Sequence, residues 1–184
     1  MKELPKLADL YTNVEKAAQT NNLNILLNQE PKPEWIKRNP YANNTPYIPI
    51  QIVEYLLTSI FQQWRFEIKQ VLVIANSVTV VGTLHVQDPT TGEWMQQDGI
   101  GAAPIQTAKG AAATDFTQVN TAAVQMAAPA AESYAIKDAA EKFGKIFGKD
   151  INRKDVLDIK PVLINKAAAF EDKLQSLKLT VENV

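Results

Sequence analysis

The stretch from Trp64 to Gly101, WRFEIKQVLVIANSVTVVGTLHVQDPTTGEWMQQDGIG, decides the fold. Trp64, Phe66 and Ile68 alternate with Arg65, Glu67 and Lys69, and β-favouring residues continue to Ile74. A period of two belongs to a strand with one buried face. Asn76-Ser77 supplies a turn, after which Val78, Val80, Gly82, Leu84 and Val86 alternate with Thr79, Val81, Thr83, His85 and Gln87 as a second strand. Asp88-Pro89-Thr90-Thr91-Gly92 consists of residues that favour bends, so Glu93 to Gly101 returns as a third strand. The expectation is an antiparallel three-stranded β-meander.

The flanks are helical. Upstream, Ile52, Val53, Leu56, Leu57, Ile60 and Phe61 recur at the three-and-four spacing of a helix buried on one side. Five prolines between Pro31 and Pro49 make the preceding segment extended or turning. Before it, Leu7, Leu10, Tyr11, Val14, Ala17 and Ala18 mark a helix-forming arm that Asn21-Asn22 interrupts. Downstream, residues 102–131 are rich in alanine, contain Pro104, Gly110 and Pro129, and offer few large side chains to bury; a mobile loop, or a hairpin that orders on binding, is expected. From Glu132 the spacing predicts a helix with Ile136, Ala140, Phe143 and Phe147 on one side and Gly148 as its stop. Leu163, Ala167, Phe170, Leu174 and Leu177 predict a C-terminal amphipathic helix. The fold class is α+β: a β-β-β-α core over 46–154, an N-terminal helical arm and proline-rich linker over 1–45, and a helical tail over 155–184.

Composition removes most familiar chemistry. The 184 residues include no cysteine and one histidine, His85, which excludes thiolate zinc sites, thiol nucleophiles and histidine metal clusters. No apolar run approaches the roughly 20 residues of a membrane span, and the sequence from Met1 to Pro5 has no apolar export segment, so an intracellular protein is expected. His85 with Asp88 and Asp98 lacks any nucleophile at a recognisable spacing. Gly99-Ile100-Gly101 begins like a dinucleotide fingerprint, but Pro104 stands where a third glycine belongs. With no Walker motif and no cofactor motif, neither an enzyme nor a cofactor is expected.

Net charge is −1, from 19 lysines and arginines against 20 aspartates and glutamates, so bulk charge gives no reason for nucleic-acid binding. Residues 132–154 are the one basic window, with six basic side chains against four acidic. On a continuous helix at 100° per residue, Lys142, Lys145 and Lys149 would fall within about 60° of one another, opposite the apolar stripe. A solvated face gives that pattern, and so does a row of phosphate contacts. Arg65 and Lys69 on the first strand extend either reading. Trp64 and Trp94 could stack bases, although core packing suits their positions better.

The order of elements and several motifs resemble the Rad-fifty-two superfamily of single-strand annealing proteins, including its phage recombination members. The resemblance runs from Pro46 to Asp150. It rests on Tyr47-Ile48 entering the first core helix, on Gln63-Trp64, on Val81-Gly82-Thr83-Leu84-His85-Val86, and on Gln97-Asp98-Gly99-Ile100-Gly101. Its most specific part is Asp138-Ala139-Ala140-Glu141-Lys142-Phe143-Gly144-Lys145-Ile146-Phe147-Gly148. The resemblance implies subunits assembled side by side into a ring or arc, single-stranded DNA in an outer groove lined by Lys142 and Lys145, and ATP-independent annealing in recombination and repair. Lys149, Arg65, Lys69 and Lys109 join them as candidate contacts. A cytoplasmic setting in a bacterial or phage-infected cell follows, with a single-strand binding protein or an exonuclease as companion. The alternative is a non-catalytic oligomeric assembly protein without DNA affinity.

Overall fold

The computed structural model describes residues 14–40 and 42–153. The chain divides into units 1–152 and 153–184, and of the second only Arg153 is described. The expected C-terminal helix, and Leu7, Leu10 and Tyr11 of the N-terminal stripe, lie outside the described residues.

The meander is present. β3 (Trp64–Ile74), β4 (Ser77–Gln87) and β5 (Trp94–Pro104) form an antiparallel sheet in the order β3-β4-β5. A smaller antiparallel pair, β1 (Lys37–Asn39) with β2 (Thr45–Tyr47), precedes it within the proline-rich stretch. The β3–β4 turn falls one residue earlier than expected: Ile74 pairs with Ser77, and Ala75 takes a positive φ of 52°. The β4–β5 turn is organised by Asp88, whose Oδ1 accepts the backbone amides of Thr90 and Thr91 and the Thr90 hydroxyl. Burial alone would raise the Asp88 carboxyl, but these bonds outweigh it and hold it below the usual carboxylate range.

Among the described residues, three α-helices complete the first unit. α1 (Val14–Leu27) runs through Asn21-Asn22, where an interruption was expected, and buries Leu23 and Leu27. Packing overrides the weak helix preference of asparagine there. α2 (Ile50–Ile60) starts after Pro49 and buries Val53, Leu56 and Leu57, as its spacing demands. α3 (Ala123–Glu141) begins nine residues before the expected start and carries Pro129 in its interior.

The early start of α3 corrects the reading of residues 102–131 as a mobile loop. Ala102, Ala103 and Pro104 close β5, Thr107 bridges to Val119, and Asp115 caps a short 3₁₀ turn over Phe116–Gln118. Ala123, Ala127, Ala131, Ala135 and Ala139 then recur every fourth residue, all buried, and give α3 one nearly flat side. That side lies on Gly99 and Gly101. A Cβ on Gly99 would sit 2.1 Å from the Ala135 carbonyl oxygen, and one on Gly101 would sit 2.2 Å from the Ala131 oxygen and the Ala135 nitrogen. Backbone meets backbone, so the segment buries surface without large side chains. The contact offsets the penalty of about 3 kcal/mol that an interior proline imposes on a helix.

The core has two connected parts. Under α3, Val78, Val80, Ala103 and Ile105 meet the alanine stripe. Beyond it, Leu84 and Val86 meet α2, the end of α1, Ile136, Ile146 and Phe147. Phe61 packs on Phe143 and Phe147 at ring separations of 5.7 and 6.5 Å.

Gly101→Ala should lower stability by about 1–3 kcal/mol, since neither the sheet nor the helix backbone can give way. Urea unfolding measures it, and a loss below about 0.5 kcal/mol would contradict the contact.

Candidate nucleic-acid interface

α3 is buried along its alanines, exposed at Tyr134 and half-buried at Asp138, and Lys142, the residue that caps its end, is exposed. Spacings of four set Asp138 and Lys142 one above the other. Their partners lie on β5: Asp138 Oδ2 accepts the Ile100 backbone N–H at 3.1 Å and the Lys142 ammonium at 3.1 Å, while Lys142 also donates to the Asp98 carbonyl oxygen. The Lys142 side chain remains 44% exposed, but its hydrogen bonds run inward to the sheet edge.

The neighbouring strip of α3 carries Lys137. Its ammonium lies 4.9 Å from the Tyr47 ring centroid and 5.5 Å from that of Tyr134, within cation–π range of both. Burial holds this amine below the usual lysine range, against a smaller upward pull from Glu141. Around it, Tyr47, Ile48, Tyr134, Glu141, Gly148 and Ile151 line a shallow pocket of about 220 Å³. Both tyrosines are exposed, so the cluster joins a positive charge to two accessible ring faces.

The single lysine face expected over 142–149 does not form, because α3 ends at Glu141. Gly144 must press against the Leu27 carbonyl, where a Cβ would come within 2.2 Å, and residues 145–147 then make a 3₁₀ turn closed by Gly148 at φ 100°. The turn rotates Lys145 inward. It is 6% exposed, with its ammonium 3.4 Å from Asp150 and 3.7 Å from Glu30. Lys145 therefore clamps the end of α1 to the segment after the turn. Lys149 is exposed.

Arg65 and Lys69 stand on the other face of the sheet. β5 turns Gly99 and Gly101 toward α3, so Trp94, Asp98 and Ile100 point away from it, and Asp98 pairs with Thr83. There the Arg65 guanidinium covers the Trp94 ring at 5.7 Å, and Lys69 meets Asp98 at 3.3 Å. The Thr83 hydroxyl and the Lys69 ammonium hold the Asp98 carboxyl below its usual range. His85 bonds Glu67 at 3.1 Å. Trp64 packs on the core, with its indole N–H donating to Thr58, whereas Trp94 is half exposed and does not share the core position expected of it. Lys109 is exposed in the loop after β5. The six candidate lysines and arginines thus do not converge on one groove.

The cluster that does form, Tyr47 with Tyr134 and Lys137, was assembled by folding. Tyr134 and Lys137 are three apart on a helix, a readable signal, but Tyr47 arrives from β2. Among the described residues no group of three His, Cys, Asp or Glu side chains could hold a metal ion, and no helix is long and apolar enough to cross a membrane. In comparisons with known proteins, neither a family model nor a curated sequence matches the chain.

Lys145→Ala should cost about 1–3 kcal/mol by removing the buried ammonium that ties Asp150 to Glu30, whereas Lys149→Ala should stay within about 0.5 kcal/mol. Thermal unfolding of both variants compares them directly, and equal midpoints would contradict the clamp.

Proposed function

We propose that the chain binds single-stranded DNA and anneals complementary strands without nucleotide hydrolysis, as a homo-oligomer of the Rad-fifty-two type forming a ring or arc. The observation that carries this reading is the Tyr47–Lys137–Tyr134 cluster. A non-specific single-strand binder needs a cation for the phosphate track and flat rings for bases of any identity, and this cluster supplies both beside an open pocket. Lys149, exposed next to Gly148 of the pocket lining, adds a second positive charge, and Lys142 adds to the field while bonded inward. A strand held by its phosphates keeps its pairing edges available, and base pairing with a second strand supplies the driving free energy. The setting is the cytoplasm, with a single-strand binding protein or an exonuclease as companion.

The inward bonds of Lys142 and the burial of Lys145 favour a second reading, an oligomeric assembly protein without DNA affinity. Salt-dependent binding of fluorescent oligo-dT separates the two. Lys137→Ala should lower the slope of log affinity against log salt by about 0.7 per subunit engaged, and Tyr134→Ala should weaken binding by about 1–3 kcal/mol. Losses should be equal on oligo-dT and mixed sequence, because phosphate contacts carry no base information. Absence of salt-dependent binding to any oligonucleotide would leave the assembly reading.

The depressed amine adds a pH test. The Lys137 charge is complete below its folded pKa and is lost as pH rises through it, which happens before ordinary lysines titrate at about 10.4. Affinity should therefore begin to fall at a lower alkaline pH in the native protein than in Lys137→Arg, where the charge persists. Coincident profiles would remove Lys137 from the phosphate track.

A further inference from the structure

The two edges of the β3-β4-β5 sheet differ. The β5 edge is closed from within its own chain: the Ile100 N–H is taken by Asp138 and the Asp98 carbonyl by Lys142. Another strand cannot add there without displacing both. β3 is the opposite edge, and among the described residues it pairs only with β4. Natural sheets protect such an edge with charges, prolines or a bulge. β3 has a bulge between Ile68 and Gln70, with Lys69 at its centre. Past the bulge the protection ends.

Val71, Leu72, Val73 and Ile74 are all exposed, Val73 to 66%. Val71 and Val73 pair with Val80 and Val78 and share their face of the sheet, where α3 covers β4 and β5; Leu72 and Ile74 lie on the other face. Both faces of this edge are therefore apolar and uncovered by described residues. From Gln70 to Ala75 there is no charge.

We infer that the free edge of β3 is a self-association surface, on which Val71 to Ile74 pair antiparallel with the same residues of a second copy about a two-fold axis. Antiparallel pairing centred on Leu72 sets Val71 opposite Val73 and Gln70 opposite Ile74, so every facing pair is uncharged and each residue meets one on its own side of the sheet. The two sheets become one six-stranded sheet with both α3 helices on the same side. Joining β3 to the β5 of a neighbour is disfavoured because Asp138 and Lys142 already occupy that edge, so this contact is isologous and pairs two copies, and a ring or arc would need a second contact on another surface. This inference does not rest on the DNA reading.

The absence of cysteine makes the test clean. Residues opposed across an antiparallel pair have Cα atoms about 4.5–5.5 Å apart, inside the range of about 4.4–6.8 Å that a disulfide spans. Leu72→Cys, which faces itself across the axis, and an equimolar mixture of Val71→Cys with Val73→Cys, which face each other, treated with diamide at low micromolar concentration, should each give a disulfide-linked dimer at least tenfold faster than Ile100→Cys, an exposed site on β5. In sedimentation, Leu72→Lys should raise the dissociation constant of the two-copy species at least tenfold with an unchanged circular dichroism spectrum. Cross-linking of Leu72→Cys and of the Val71→Cys with Val73→Cys mixture no faster than Ile100→Cys would overturn the inference. A wild-type monomer at tens of micromolar would overturn it too. So would association that Leu72→Lys leaves intact, which would place the contact on another surface.

Discussion

The backbone contact between α3 and β5 is the constraint on which the rest of the structure depends. Gly99 and Gly101 remove the side chains that would hold the helix off the sheet, and alanines at every fourth position remove them from the helix. At that range the helix side chains next to the contact reach the strand's own backbone, which is how Asp138 finds the Ile100 amide and Lys142 the Asp98 carbonyl. A larger residue at either glycine would lift α3 and undo both bonds. Close packing and edge protection are one arrangement.

That arrangement distributes charge by task. Asp138 and Lys142 close the strand edge, Lys137 is turned toward Tyr47 and Tyr134, and Lys145, past the helix end, ties Glu30 and Asp150. On the far face of the sheet, Arg65, Lys69 and His85 are matched by Trp94, Asp98 and Glu67. With net charge −1, the protein has no general attraction for a polyanion. Any affinity for one has to come from a local grouping, and among the described residues only around Lys137 does a cation stand between two exposed rings.

What was legible in the sequence followed large side chains at regular spacing. Val78 to Val86 read correctly as a strand, Ile52 to Phe61 as a helix, and Asp88 to Gly92 as a turn, because burial and hydrogen bonding there act through the residues themselves. The first half of α3 was illegible for the opposite reason. Alanine at every fourth position is weakly apolar, and Gly99-Ile100-Gly101 has meaning only when the helix it receives is known. Neither half signals alone, and Pro129 argued against a helix that tertiary contact sustains. The lysine face failed at one residue: Gly144 has to meet Leu27, which arrives from far along the chain, so the helix stops at Glu141 and the wheel that aligned Lys142 with Lys145 does not apply.

The sheet edges show how sequence pattern and energetics part company. Alternation in β3 holds to Ile68 and then breaks at the bulge, beyond which four apolar residues follow in succession. In a central strand such a run means burial on both faces. β3 is an edge strand, and α3, being narrow along its alanines and seated on β5, leaves the far side of the sheet uncovered. The close contact that protects one edge thus exposes the other. A helix with bulkier side chains would stand higher and spread its contacts across more of the sheet, at the expense of the bonds that close β5. The apolar run beyond the bulge is the counterpart of the alanine stripe: the fold concentrates its burial on one side and leaves on the opposite edge a surface whose burial requires something beyond the described residues.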